Sequence, residues 1–200
     1  MDLDLLIDTH KQLPTIPNED TAIEYLYNKV IGYTIKEEND VVRLAVLCYG
    51  WMPTMNKGKH IHKNINLNNI KEYLIRIQNL KTKKDAINIV FQESTTTQDF
   101  LTLTNNSVIG LSKALHIIRP DVFPIIDGHI LNGLRNYGKY IDFPVEQIPN
   151  CKYPTHELAF FEYFTNFIFN NLPDFPVREI EKILFDLGKD NSYRSPTSIS

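Results

Sequence analysis

A short stretch that disfavours helix, residues 120–126, separates two helical patterns and most constrains what this chain can fold into. Pro120 and Pro124 interrupt helix, and the apolar residues around Pro124 form a run too short for a helix of its own. Asp127 follows directly, where a helix N-cap is expected, ahead of apolar residues at helical spacing. The sequence therefore predicts helix, linker and capped helix in this order, with Asp127 acting as a cap alone or also as a catalytic acid.

The helix before this linker carries a polar cluster in an otherwise apolar sequence. Residues three and four positions apart are neighbours on a helix, so the apolar and polar residues fall on different faces. The apolar face is Val108, Leu111, Leu115 and Ile118, and the polar cluster is Ser112, Lys113 and His116. We therefore expect a half-buried helix, with Lys113 either an ordinary surface residue or a functional amine.

The rest of the chain is predicted to be helical nearly throughout. Segment 41–51 is densely apolar and fits a buried helix or a strand, and helix is favoured because no partner strand is evident. Further helices are predicted at 21–33, 67–80, 84–93, 97–104, 127–137, 154–171 and 176–188, with residues 94–97 as a polar connector and cap. We expect an all-α, two-lobed bundle of about 8–10 helices forming one domain over 1–189, followed by a flexible tail, 190–200.

Residues 124–130, Pro-Ile-Ile-Asp-Gly-His-Ile, are similar to a motif of a known family. They resemble the catalytic aspartate element of the helix-hairpin-helix DNA glycosylases (the HhH-GPD superfamily), in which a glycine-containing hairpin precedes the aspartate. The resemblance implies a helix-hairpin-helix near 97–118 and a catalytic role for Asp127. It also implies that Lys113 is the nucleophilic lysine. If the register is shifted by one, Ser112 stands at that position, where some members of the family have a residue other than lysine.

The same resemblance implies the surroundings of the reaction. A hairpin turn and the helix after it can hold a DNA phosphate through backbone N–H groups, with a monovalent cation as the one cofactor to consider. The DNA-binding residues would include Asn105, Asn106, Gly110, Ser112 and His129, and the extruded base would meet Tyr49, Trp51, Met52 and His116. Core packing is the alternative for Trp51 and His116, and a surface position for His129. The four-cysteine iron–sulfur cluster of one branch of the family cannot be built, because the chain has only Cys48 and Cys151.

The charge distribution suggests a nucleic-acid partner more than the net charge of −3 does. Residues 41–141 hold thirteen basic and six acidic residues, between two acidic flanks. Most of the excess lies in 57–84, where eight basic residues accompany one glutamate, and we expect this segment to contact phosphates. Its first three lysines are Lys57, Lys59 and Lys63. The alternative is an ordinary solvated surface.

Three functions from different classes fit these features. The first is a DNA glycosylase that excises a damaged or modified base, in repair or in foreign DNA such as that of a phage. The second is a noncatalytic DNA-binding module, and the third a small helical interaction or regulatory protein. No metal site is expected, since His60 and His62 lack further ligands nearby. The acidic amino terminus and the lack of a long apolar run predict a cytoplasmic protein that does not bind membranes. We also expect a monomer, and we expect both cysteines to be reduced.

Overall fold

The protein is an all-helical chain in a computed structural model that describes residues 2–13, 27–50, 65–104, 106–150 and 158–189. Besides the helical residues 27–30, these ranges contain nine α-helices, two short 3₁₀-helices and no strand. The α-helices are α1 (Leu3–Lys11), α2 (Glu38–Gly50), α3 (Leu67–Asn79), α4 (Lys83–Gln92), α5 (Ser94–Leu103), α6 (Val108–Ile118), α7 (Gly128–Tyr137), α8 (Leu158–Asn171) and α9 (Val177–Lys189). The 3₁₀-helices are Gly138–Ile141 and Val145–Gln147. The predicted all-α class is confirmed.

Most predicted helices agree with the structure within a few residues. The segment that fitted either helix or strand is α2, so the choice of helix is confirmed. The connector predicted at residues 94–97 is wrong, because α5 already begins at Ser94 and Glu93 alone separates it from α4. Thr97 explains the difference: it is buried and donates from Oγ1 to the Val90 carbonyl (2.7 Å), so a polar residue has its partner inside the fold. Of the predicted helix 21–33, residues 27–30 are helical and residues 21–26 lie outside the described residues.

A short turn joins α5 to α6. The backbone of Asn106 is left-handed (φ 50°), a conformation that asparagine tolerates better than most residues, and its N–H donates to the Leu101 carbonyl (2.9 Å). Ser107 then caps α6, its Oγ accepting from the Gly110 N–H at 3.4 Å. Two helices joined by a turn therefore span residues 94–118, close to the range 97–118 where the resemblance implied a helix-hairpin-helix. Asn105 lies outside the described residues.

Helix α6 runs through the hydrophobic core. Every residue of it except Ile109 is buried, including the three polar ones, so the prediction of a half-buried helix is wrong. The polar side chains are tolerated because they find partners or a cavity inside the fold, as described below. The core around them is one continuous cluster that extends from Leu6 in α1 to Leu187 in α9.

Helices α7 and α9 pack backbone against backbone. A Cβ at Gly133 of α7 would overlap the Leu184 carbonyl of α9, and a Cβ at Gly188 would overlap the His129 carbonyl of α7. Both positions therefore require glycine for close approach rather than for an unusual backbone conformation. This contact fixes the first turn of α7, and with it Asp127, against the buried face of α9 that contains Leu184 and Gly188.

Two further expectations bear on the described residues. None of the helices in these ranges is both long and apolar enough to cross a membrane. Cys48 is a free, buried thiol whose pKa is raised to about 12 by burial, while Cys151 lies outside the described residues.

Candidate active site

A cavity of about 410 Å³ lies between α6, α7 and α9 and brings Lys113 and Asp127 together. Its charged lining comprises four cations and four acids. The cations are Lys113, Arg178, Lys182 and Lys189, and the acids are Asp127, Glu179, Glu181 and Asp186. Tyr27, Ile125, Ile130 and Phe185 supply apolar surface. Two residues that are fourteen positions apart in sequence and were predicted to act together therefore face one space.

Asp127 is the N-cap of α7. Its Oδ1 accepts hydrogen bonds from the backbone N–H groups of His129 (2.9 Å) and Ile130 (3.0 Å), which satisfies two groups that a helix start leaves unpaired. The carboxylate is half-buried at the cavity wall. The cap fixes its orientation and places it at the positive end of the helix dipole.

Lys113 is an amine in a largely desolvated position. It is 7% exposed, and burial lowers the pKa of Lys113 while the nearby charge of Asp127, and to a smaller extent Cys48, raises it. A neutral lysine amine can act as a nucleophile, whereas the ammonium ion cannot. The position of Lys113 therefore increases the fraction of the reactive form relative to a surface lysine.

Two buried side chains hold the linker that leads to Asp127. Ser112 accepts from the Ile126 N–H at 3.1 Å and donates to the Ile109 carbonyl at 2.9 Å. Glu181 accepts from the neighbouring Ile125 N–H. Because Ser112 has no solvent-exposed surface, its hydroxyl lies in the core as a support for the linker, away from any DNA at the surface.

Glu181 is a functional candidate that the sequence did not reveal. It is 1% exposed, and its carboxylate is compensated by Arg178 Nη1 at 3.2 Å and by His116 Nδ1 at 3.1 Å. A buried carboxylate needs such partners, since an isolated charge in the core is very costly. The spacing of Glu181 is the one feature of the sequence that indicates its burial. Glu181 follows Val177 by four positions and precedes Leu184 by three, so it falls within the apolar face of α9.

His116 belongs to the same buried network. Its Nδ1 lies 2.7 Å from the Phe123 carbonyl, which can only accept, so Nδ1 carries the proton. Its Nε2 lies 2.8 Å from the Tyr27 hydroxyl, and burial raises the pKa of Tyr27 to about 12. His116 is fully buried behind Tyr27 and Glu181, so it supports the cavity wall from inside the core.

The other predicted site residues are distributed more widely. Gly110 is buried in the first turn of α6, and Asn106 is in the turn between α5 and α6. His129 is exposed at the start of α7, its ring 5.0 Å from the ring of Phe185. Trp51, Met52, Lys57, Lys59, Lys63 and the side chain of Tyr49 lie outside the described residues.

The described part of the predicted basic segment is partly neutralised. Lys71 pairs with Glu72 at 3.1 Å, and Arg76 pairs with Glu93 at 2.6 Å. Surface pairs of this kind contribute little to stability, but they reduce the positive field that a phosphate would meet. Within the described ranges there is no group of three or more His, Cys, Asp and Glu side chains that could hold a metal ion. No protein-family model, curated protein or solved structure matches this chain.

Proposed function

We propose that this protein is a DNA glycosylase that cleaves the N-glycosidic bond of a damaged or modified base. The observation that carries the proposal is that the desolvated Lys113 and the capped Asp127 line one cavity. Cleavage of an N-glycosidic bond needs a carboxylate beside the sugar, a nucleophile and a water-poor pocket for the base. The volume of the cavity, about 410 Å³, is within the range of small-molecule sites.

Asp127 would stabilise the sugar as the bond breaks. When the base departs with the bonding electrons, positive charge develops on C1′ and the ring oxygen, and a fixed carboxylate opposes that charge. The two N–H groups bound to Oδ1 hold the carboxylate in place before the reaction, so little reorganisation is needed. The departing base takes up a proton.

Lys113 would be the nucleophile. Its neutral amine forms a bond to C1′ as the bond to the base breaks, and loss of the amine proton and opening of the sugar ring then give a Schiff base. Elimination of the 3′ phosphate from this intermediate nicks the strand. If water attacks instead, the product is an intact abasic strand, and Lys113 contributes only positive charge.

The test is base release from a panel of DNAs with oxidised, alkylated, deaminated and phage-type modified bases. Asp127→Asn keeps a good helix cap but removes the negative charge, so we expect a loss of about a hundredfold or more in the release rate. Asp174→Asn, at an exposed position away from the cavity, is the matched control and should release base at the wild-type rate. Equal rates for Asp127→Asn and wild type would contradict the proposal.

The role of Lys113 has its own readout. Borohydride reduces a Schiff base to a stable amine, so it should crosslink wild-type protein to a substrate DNA and fail to crosslink Lys113→Met. Release that persists in Lys113→Met without crosslinking would indicate water as the nucleophile. The crosslinking result therefore distinguishes the nicked strand, which forms through the Schiff base, from the intact abasic strand, which forms when water attacks.

A noncatalytic DNA-binding module is the second candidate. The turn between α5 and α6 supports it, because a left-handed turn residue and a capped helix start can hold a phosphate without any chemistry. Such a protein would bind DNA with strong salt dependence, release no base and be indifferent to Asp127→Asn. A protein that bound no DNA at all would instead fit the interaction-protein hypothesis.

A further inference from the structure

Four residues of α9 form a stripe along the cavity. Arg178, Lys182, Phe185 and Lys189 are spaced four, three and four positions apart, so they lie on one side of the helix, and all four line the cavity. The stripe covers eleven residue steps, or about 16 Å of helix. We use the name α9 stripe for these four residues.

Two of the acids beside the α9 stripe have partners of their own, and one of these partners is Arg178 of the stripe itself. Glu181 accepts from the Ile125 N–H and contacts His116 and Arg178, and Asp186 lies 2.9 Å from His10 Nε2. Glu179 is exposed on the same cavity. Among the described residues, no carboxylate lies within ion-pair distance of Lys182 or Lys189.

We propose that the α9 stripe binds the phosphodiester backbone of the DNA strand whose base enters the cavity. This inference rests on the proposed function, because it assigns the strand position for that reaction. The length of the stripe corresponds to about five nucleotides of B-form DNA. A flexible lysine suits a phosphate as a point charge, and Lys182 is exposed while Lys189 is half-buried with its Nζ 4.5 Å from the Phe185 ring centre.

The stripe is a better phosphate surface than the described part of the basic segment 57–84. Lys71 and Arg76 of that segment have carboxylate partners, and its remaining described cations do not line this cavity. Lys182 and Lys189 line the same cavity as Lys113 and Asp127, so a strand bound by them would pass the opening of the cavity that contains the reacting groups. Glu179 should repel the same strand and weaken binding.

The experiment measures binding of labelled duplex DNA with one stable abasic-site analogue, at several salt concentrations. All variants carry Asp127→Asn, so that no turnover interferes. Lys182→Gln with Lys189→Gln should weaken binding about tenfold at low salt and reduce the slope of log K against log salt by about 2, since each lost phosphate contact removes about 0.9. Glu179→Gln should strengthen binding.

The matched control is Lys36→Gln with Lys139→Gln, two exposed lysines away from the cavity and outside the basic segment 57–84. Its salt slope should equal that of the parent, and thermal melting should show both double variants folded. An unchanged slope in the α9 variant, or an equal loss in the control, would overturn the assignment of the stripe. If the parent binds no DNA, the proposed function fails as well. Base release by wild type together with an unchanged α9 slope would refute the stripe alone.

Discussion

Two regions of the molecule bury polar side chains in different ways. In α3–α5 the buried groups are neutral: the Tyr73 hydroxyl lies 2.7 Å from Thr97 Oγ1, which also bonds a backbone carbonyl. In α6 and α9 the buried groups include ionisable ones, Lys113, His116 and Glu181, beside the neutral Ser112. Neutral hydrogen-bonded pairs cost little to bury, whereas charges are costly even when paired. Because ionisable groups that are costly to bury often mark functional sites, the difference makes Lys113 and Glu181 the residues to test for function.

The largest expected effect comes from removing the buried carboxylate of α9. Glu181→Ala leaves a cavity in the core and the buried Ile125 N–H without its acceptor, and the two effects together cost about 3–5 kcal/mol of unfolding free energy. Urea denaturation measures this loss. Glu181→Gln keeps an oxygen acceptor for Ile125 and should recover part of it.

The neutral region provides the comparison for that loss. Tyr73→Phe removes one hydroxyl and should cost about 1 kcal/mol, because a neutral hydrogen bond contributes about that much. If Glu181→Ala were no more destabilising than Tyr73→Phe, the two regions would not differ in the way described. Refolded samples of each variant should give the same values as native ones, which confirms that unfolding is at equilibrium.

The second effect tests the close approach of α7 and α9. Gly188→Ala places a methyl group on the His129 carbonyl, so the helices must move apart at a cost of about 1–3 kcal/mol, despite the better helix propensity of alanine. Since His129 follows Asp127 by two positions, base release should fall as well. The control is Gly138→Ala, whose nearest neighbour would be Phe143 Cβ at 3.3 Å. A Gly188→Ala protein as stable as Gly138→Ala would show that the helices adjust without loss.

The fold was predictable where local signals decided it. The cap at Asp127 and the left-handed turn at Asn106 were predictable because N-cap and turn residues act on their own backbone. The pairing of Lys113 with Asp127 came from a resemblance, and the shared cavity now gives it a geometric basis. These parts depend on neighbours in sequence or on a motif.

The remaining parts depend on tertiary contacts that the sequence does not display. Helical periodicity placed Ser112 and His116 on a polar face, yet both are buried because the linker and Glu181 provide hydrogen-bond partners. Glu181 was overlooked because a single acid in an apolar stripe has meaning only once its partners are known. In the sequence, Gly188 is only the last residue of the predicted helix 176–188. That it allows the close approach of α9 to the His129 carbonyl of α7 follows only from the packing of the two helices.

The smallest expected effect concerns Lys113 and depends on pH. Burial lowers its pKa from 10.5, so between the lowered pKa and 10.5 the unfolded chain binds a proton that the native protein does not. The contribution of Lys113 to the free energy of unfolding therefore rises as the pH rises from the lowered pKa to 10.5. Below the lowered pKa, the native protein carries the whole cost of burying the charged amine. Lys113→Met removes the charge, and we expect the variant to be more stable than wild type at neutral pH by about 1 kcal/mol.

The pH dependence of the difference in unfolding free energy between Lys113→Met and wild type distinguishes two causes. These are the desolvation of the lysine charge and the better packing of methionine. Titrating groups common to both proteins, such as Tyr27 with its pKa of about 12, cancel in the difference. The advantage of Lys113→Met should therefore shrink as the pH rises to 10.5 and beyond, since wild-type Lys113 is neutral in both states only above 10.5. Lys84→Met, at an exposed position, should stay within about 0.5 kcal/mol of wild type at every pH. A constant advantage for Lys113→Met would mean that better packing of methionine, rather than relief of a buried charge, stabilises the variant.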